Sequence, residues 1–137
     1  MTRQLQNEDY DALAAYRYAM RKFLRFSKDE LRQHGGVTPE QYEAMLALRA
    51  FGNSRGLTVG QLSERLQVKH HTAVTLVNKL VERGFASRTQ GAADRREVYV
   101  KLTPQGSDLL ETTAGVHRKE IRQRSAELIA ALERLQK

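Results

Sequence analysis

Gly84-Phe85-Ala86-Ser87-Arg88-Thr89-Gln90-Gly91-Ala92-Ala93-Asp94-Arg95-Arg96-Glu97-Val98-Tyr99-Val100-Lys101-Leu102-Thr103 is the stretch that decides the fold. Two strand-like runs, Phe85 to Thr89 and Val98 to Leu102, flank a connection that carries Asp94, Arg95 and Arg96 beside Gly91. An amphipathic helix ends at Gly84, and Thr103-Pro104 starts another. The spacing predicts a two-stranded ribbon with arginines at its tip, set between two helices.

Working back towards the amino terminus, Lys69 to Arg83 reads as a helix whose apolar residues Ala73, Leu76, Val77 and Leu80 form one stripe. A short connection at Gln67 and Val68 joins it to Val59 to Leu66, a helix opened by Thr58 with Gln61 at capping-box spacing. Two helices on so tight a turn are a helix-turn-helix, and the ribbon behind them makes it a winged one. Thr38-Pro39-Glu40-Gln41 opens a further helix running through Tyr42, Met45, Leu46 and Leu48 towards Phe51, and a loop, Gly52 to Gly56, follows it.

Further out, Glu8 to His34 carries Tyr10, Leu13, Tyr16, Met20, Phe23, Leu24 and Leu31 at helical spacing until Gly35-Gly36 stop it. Such a helix, about 40 Å long at ~1.5 Å per residue, is longer than its own domain can cover. After Pro104 the apolar positions continue through Leu109, Leu110, Val116, Ile121, Leu128, Ile129, Leu132 and Leu135. Gly115 predicts a bend or break between two carboxy-terminal helices. The expected fold class is therefore mainly α with a small β-wing.

The 137 residues fit one domain, and 23 lysines and arginines against 16 acids leave a net charge of +7, which favours polyanionic partners. The chain has no cysteine, which excludes disulfides and thiolate metal sites. His70 and His71 are adjacent and diverge by ~100° on a helix, so they cannot easily share one ion. DNA contact or plain exposure suits them better, and neither metal nor cofactor is expected. There is no membrane-spanning apolar run and no signal-peptide pattern between Met1 and Asp11, so the expected location is cytoplasmic. No glycine-rich phosphate loop or nucleophile–base pair points to an enzyme.

The polar side of the second helix offers Lys69, His70, His71, Thr72, Thr75, Asn78 and Lys79. Such side chains can reach base edges in the ~12 Å wide major groove. Thr72 and Thr75 suit a thymine methyl or a phosphate, and Lys69 and Lys79 suit phosphates. In the wing, Asp94 can hold Arg96 through a charge-assisted bond and ready it for a narrow, A·T-rich minor groove. Arg88, Arg95 and Lys101 suit phosphates. Taken alone, each pattern also fits a solvated surface; their succession along the chain favours duplex DNA as the partner.

Leu62-Ser63-Glu64-Arg65-Leu66, Val77 to Phe85, Asp94-Arg95-Arg96 and Val98 to Gly106 together resemble the MarR family of transcription regulators, over nearly the whole chain. The resemblance implies a single domain over residues 1–137, with dimerisation helices at 8–34 and 104–137 around a DNA-binding lobe at 38–103. It implies a homodimeric regulator, a repressor, acting on a pseudo-palindromic site. It also implies relief of DNA binding by a small aromatic or phenolic effector held between the dimerisation helices and the lobe. Tyr16, Met20, Tyr42 and Met45 are candidates to line that site, with Arg17 or Arg21 to meet an anion; hydrophobic core or dimer interface is the other reading of the apolar four. Members often carry arginine at the place of Thr75 and aspartate at that of Asn78, so base preference and a helix–wing ion pair do not carry over. An architectural winged-helix module without a regulatory ligand is the alternative.

Overall fold

The computed structural model describes residues 3–137, and the chain divides into two compact units. One comprises the residues up to Glu30 together with Ala114–Lys137; the other is Leu31–Thr113. The fold is mostly helical with a small antiparallel sheet, as the sequence predicts.

The Leu31–Thr113 unit begins with a π-helical turn, Leu31–Gly35, in which the Gly36 amide donates to the Leu31 carbonyl at 2.7 Å. Helix α2, Pro39–Phe51, starts on a complete capping box: the Gln41 amide donates to the Thr38 hydroxyl, and the Thr38 amide to the Gln41 side chain, both at 3.1 Å. Thr58 and Gln61 repeat the device at the start of α3, Val59–Leu66. Helix α4, His70–Glu82, buries Ala73, Leu76, Val77 and Leu80, the stripe read from sequence.

The sheet corrects one expectation. Strands β2, Ala86–Gln90, and β3, Val98–Leu102, form the expected ribbon, but β1, Leu57–Thr58, pairs antiparallel with β3 and makes the order β1-β3-β2. Leu57 stands opposite Val100, and Thr58 opposite Tyr99. These two residues take strand form through a partner over 40 positions away, a pairing that local periodicity does not encode.

The run Leu102-Thr103-Pro104-Gln105-Gly106 after the wing ties the ribbon to the helix that follows. The Thr103 amide donates to the Phe85 carbonyl at 3.1 Å, and the Thr103 hydroxyl donates to the Gly84 carbonyl at 2.6 Å. The same hydroxyl accepts from the Gly106 amide at 3.0 Å. A Cβ on Gly106 would lie 2.0 Å from the Phe85 carbonyl oxygen, so no side chain fits there. Gly84, at φ +78°, supplies the left-handed turn that ends α4. The wing is thereby fixed at its base to the helices on either side.

The other unit comprises α1, Asn7–Glu30, and the carboxy-terminal part of α5, Pro104–Leu135. Helix α5 is unbroken, contrary to the expectation at Gly115. That residue is exposed, with no atom within 4 Å of where its Cβ would be, so it carries only the ~1 kcal/mol propensity cost of a helical glycine. Inside this unit the buried Ser27 hydroxyl and His117 Nε2 lie 2.8 Å apart, with the edges of Phe23 and Phe26 packed about the imidazole. Lys22 pairs with Glu127 at 2.7 Å.

Candidate nucleic-acid interface

The turn between α3 and α4 is made by Gln67 in the left-handed region (φ 55°), its amide bonded to Glu64 and that of Val68 to Ser63. The chain then enters α4 through Lys69, an N-cap residue with no side-chain capping bond. The positive end of the helix dipole therefore lies beside Lys69, His70 and His71, all exposed, where an anion is favoured. Thr72 is half-buried, and Thr75, Asn78 and Lys79 are exposed. The Thr75 hydroxyl donates to the His71 carbonyl at 3.0 Å, so its hydrogen is already committed to the helix.

At the wing tip the Arg96 amide donates to Asp94 Oδ1 at 2.9 Å, and the Arg96 guanidinium pairs with the same oxygen at 3.2 Å. The backbone bond first, and the side-chain bond second, hold the Asp94 carboxyl below the usual carboxylate range. The Arg96 side chain nevertheless stays 93% exposed, oriented by Asp94 yet open to a ligand. Arg95 is exposed beside it, and Lys101 is exposed on β3.

Arg88 is committed differently from the sequence expectation. Its guanidinium donates to Asn78 Oδ1, linking the wing directly to α4. It remains exposed, so its guanidinium is still open to a phosphate. Sequence reasoning also passed over Arg55, whose guanidinium lies 5.1 Å from the Tyr99 ring centre at the sheet. The Tyr99 hydroxyl in turn donates to Glu97 at 2.8 Å, which raises the pKa of the phenol. The available signal was a basic residue in the Gly52–Gly56 loop, but its place depends on the unforeseen β1–β3 pairing.

The effector candidates fall into two groups. Tyr42 and Met45 are core residues of the Leu31–Thr113 unit, 8% and 1% exposed, and burial raises the Tyr42 phenol pKa. Tyr16, Arg17 and Met20 belong to α1 in the other unit, where Met20 lines an apolar groove of about 360 Å³ with Phe23, Leu24, Leu128 and Leu132. Among the described residues no group of three or more His, Asp or Glu side chains could hold a metal ion. No described helix is long and apolar enough to cross a membrane.

Residues 35–97 match the model described as the MarR family. The chain belongs to that family. A relative named HTH-type transcriptional repressor MdtR, from Bacillus subtilis, is 31% identical over 108 residues, covering 78% of this chain and 66% of the relative. The chain spans 56% to 66% of the length of the first curated relatives it matches. Among solved structures, AbsC of Streptomyces coelicolor, a MarR family transcriptional regulator, superposes with a TM-score of 0.77 at 19% identity, covering 93% of this chain and 84% of that one. A mutant of MepR from S. aureus, bound to an oligodeoxyribonucleotide, gives 0.68 at 22% identity, covering 96% and 99%. These relatives are regulators, and they show the winged-helix fold. Within the MarR frame, the Asn78–Arg88 bond is a neutral amide standing where an acidic partner is frequent. The bond links helix and wing without a negative charge beside Arg88.

Proposed function

We propose that this MarR-family chain is a homodimeric, sequence-selective duplex-DNA-binding transcription regulator. Residues 38–103 serve as its DNA-binding lobe, and residues 8–34 with 104–137 as its dimerisation helices. The observation that carries the reading is the coupling of α4 to the wing. A helix with an exposed polar amino-terminal face is tied through Asn78 and Arg88 to a ribbon whose tip presents an oriented, open Arg96. His70, His71, Thr72 and Thr75 take the major groove, with Lys69 and Lys79 on phosphates; Arg96, set by Asp94, takes the minor groove; Arg88 and Arg95 take flanking phosphates.

The dimer is supported by the exposed Tyr10, Leu13, Leu24, Ile121, Ile129 and Leu132 of the helical unit, which leave an apolar face in need of a cover. Repression follows the name of the MdtR relative. Relief by a small aromatic effector belongs to the same reading and requires that the effector bind a DNA-incompetent arrangement more tightly.

Selection of bound fragments from random duplex DNA at fixed salt tests the proposal. It should recover a pseudo-palindrome with half-sites ~10 bp apart, or a multiple of that. Arg96→Ala should then blunt the preference for A·T pairs at the wing positions. Equal recovery of all sequences would replace the regulator with an architectural module.

A further inference from the structure

Among the described residues, the Leu31–Thr113 unit exposes two large apolar side chains, Leu46 and Phe51, and both line one groove. Leu46, Ala47, Ala50 and Phe51 share a face of α2 with Glu43, turned away from the buried Met45 and Leu48. Arg65 and Leu66, from the last turn of α3, complete the lining of a hollow of about 480 Å³. Two alanines set among larger side chains leave the space. None of the lining residues belongs to the helical unit or to the proposed DNA-contact set.

The two ends of the groove differ. Along α2 it runs from Glu43 to Phe51, about 12 Å of helix. At the Phe51 end the Arg65 guanidinium lies 4.0 Å from the ring centre, in a cation–π stack that caps the hollow. At the other end the Glu43 carboxyl has neither a hydrogen bond nor an ion pair among the described residues. Burial first, and the nearby Glu40 second, raise its pKa, although the side chain still reaches solvent. The charge of Arg65 thus rests on an aromatic face, while that of Glu43 is partly desolvated and has no counter-charge.

We propose that this groove binds a small lipophilic cation, its positive group on Glu43 and its apolar body over Ala47 and Ala50 towards Phe51. Hollows of this size with mostly apolar walls and a few polar groups are suited to small molecules, the polar groups fixing the orientation. A helix from a partner protein requires a trough open at both ends for successive anchors, and the Arg65–Phe51 stack closes one end. An anion would meet the like charges of Glu43 and Glu40. In a chain of net charge +7 this is a local site for positive charge.

The test titrates the full, isotope-labelled chain with phenylbutylammonium and follows the backbone amide shifts. Those of Ala47, Ala50 and Leu66 should move and saturate. Phenylbutyrate, with the same apolar body and the opposite charge, should bind more weakly. Glu43→Gln should weaken binding of the cation about threefold to fivefold, as for a partly exposed ion pair, and leave the carboxylate bound no more weakly than before. Ala50→Leu, at an exposed position, should fill the hollow and abolish saturation with the fold intact. Equal affinity for the two probes, or a Glu43→Gln variant that binds the cation as well as the wild type, would overturn the inference. So would saturating shifts confined to Met20, Leu24 and Leu128, which would assign the cation to the apolar face of the helical unit. Groove amides that do not respond to the cation would overturn it as well, and if they move with protein concentration instead the occupant is a second copy. None of these outcomes depends on whether fragment selection recovers an operator.

Discussion

The two units bury their apolar side chains very differently. Of the nineteen buried apolar residues among those described, seventeen lie in Leu31–Thr113, and the helical unit contributes only Ala12 and Ala131. The exposed large apolar side chains are distributed the opposite way, eight of ten in the helical unit. Leu31–Thr113 thus has a core of its own, built from Met45, Leu48, Leu62, Val77, Leu80 and Val100. The helical unit has the composition of half a core. Its long helices carry enough apolar surface to fold around something, and within one chain that surface stays open. Leu31–Thr113 thus closes its own core, and the apolar face of the helical unit is left for the proposed second copy to cover.

The largest effect should come from charging the open face. Ile129→Glu with Leu132→Glu places two carboxylates on the rim of the apolar groove, where both residues are exposed in the single chain. If a second copy covers them, each unpaired buried charge costs about 3–5 kcal/mol, so the dimer should weaken by at least a hundredfold. Sedimentation should report a monomer at micromolar concentration, with the circular dichroism of the lobe unchanged. A variant that remains as dimeric as the wild type would remove this face from the interface, and the contrast between the units would lose its meaning.

Next in size is Leu80→Ala, the equivalent challenge to the closed core. Leu80 is fully buried on α4, and a leucine-to-alanine cavity costs about 2–5 kcal/mol. Urea denaturation should show this loss at any protein concentration, since the core belongs to one chain. A loss that vanished at high protein concentration would mean that the lobe also depends on dimerisation.

The same contrast explains what was legible in the sequence. In the lobe, apolar period and capping residues agree. Thr38–Gln41 and Thr58–Gln61 therefore located their helices, and the Ala73, Leu76, Val77 and Leu80 stripe located the core. Two features were hidden because their cause is distant in sequence. Leu57–Thr58 is a strand only because β3 lies beside it, and Arg88 meets Asn78 only once the wing has folded against α4. Gly115 misled for the opposite reason. A local breaker was overridden by the helical register on either side, at a site where no packing demanded a bend. At the candidate interface residue types were readable, but their commitments, such as the Thr75 hydroxyl on the His71 carbonyl, were not.

The smallest predicted effect probes how the helical unit, poor in core, holds its amino-terminal end. Arg3 grips Asp9 through two bonds of 2.7 and 2.8 Å, and the Gln6 amide donates to the same carboxylate at 2.8 Å. The arginine contact first, and the backbone bond second, hold the Asp9 carboxyl below its ordinary value. The folded form therefore binds this proton less readily than the unfolded chain does. The contribution is fully present above about pH 4, the unfolded range, and is lost as pH falls through the depressed native value. Arg3 remains 56% exposed, so solvent screens the pair and the effect is modest. Asp9→Asn should accordingly be slightly less stable than the wild type at pH 7, and the difference should close as the pH is lowered towards 3, followed by thermal denaturation at low ionic strength. A gap of constant size across that range would mean that Asp9 acts through packing alone, and that this end of α1 is held without its charge.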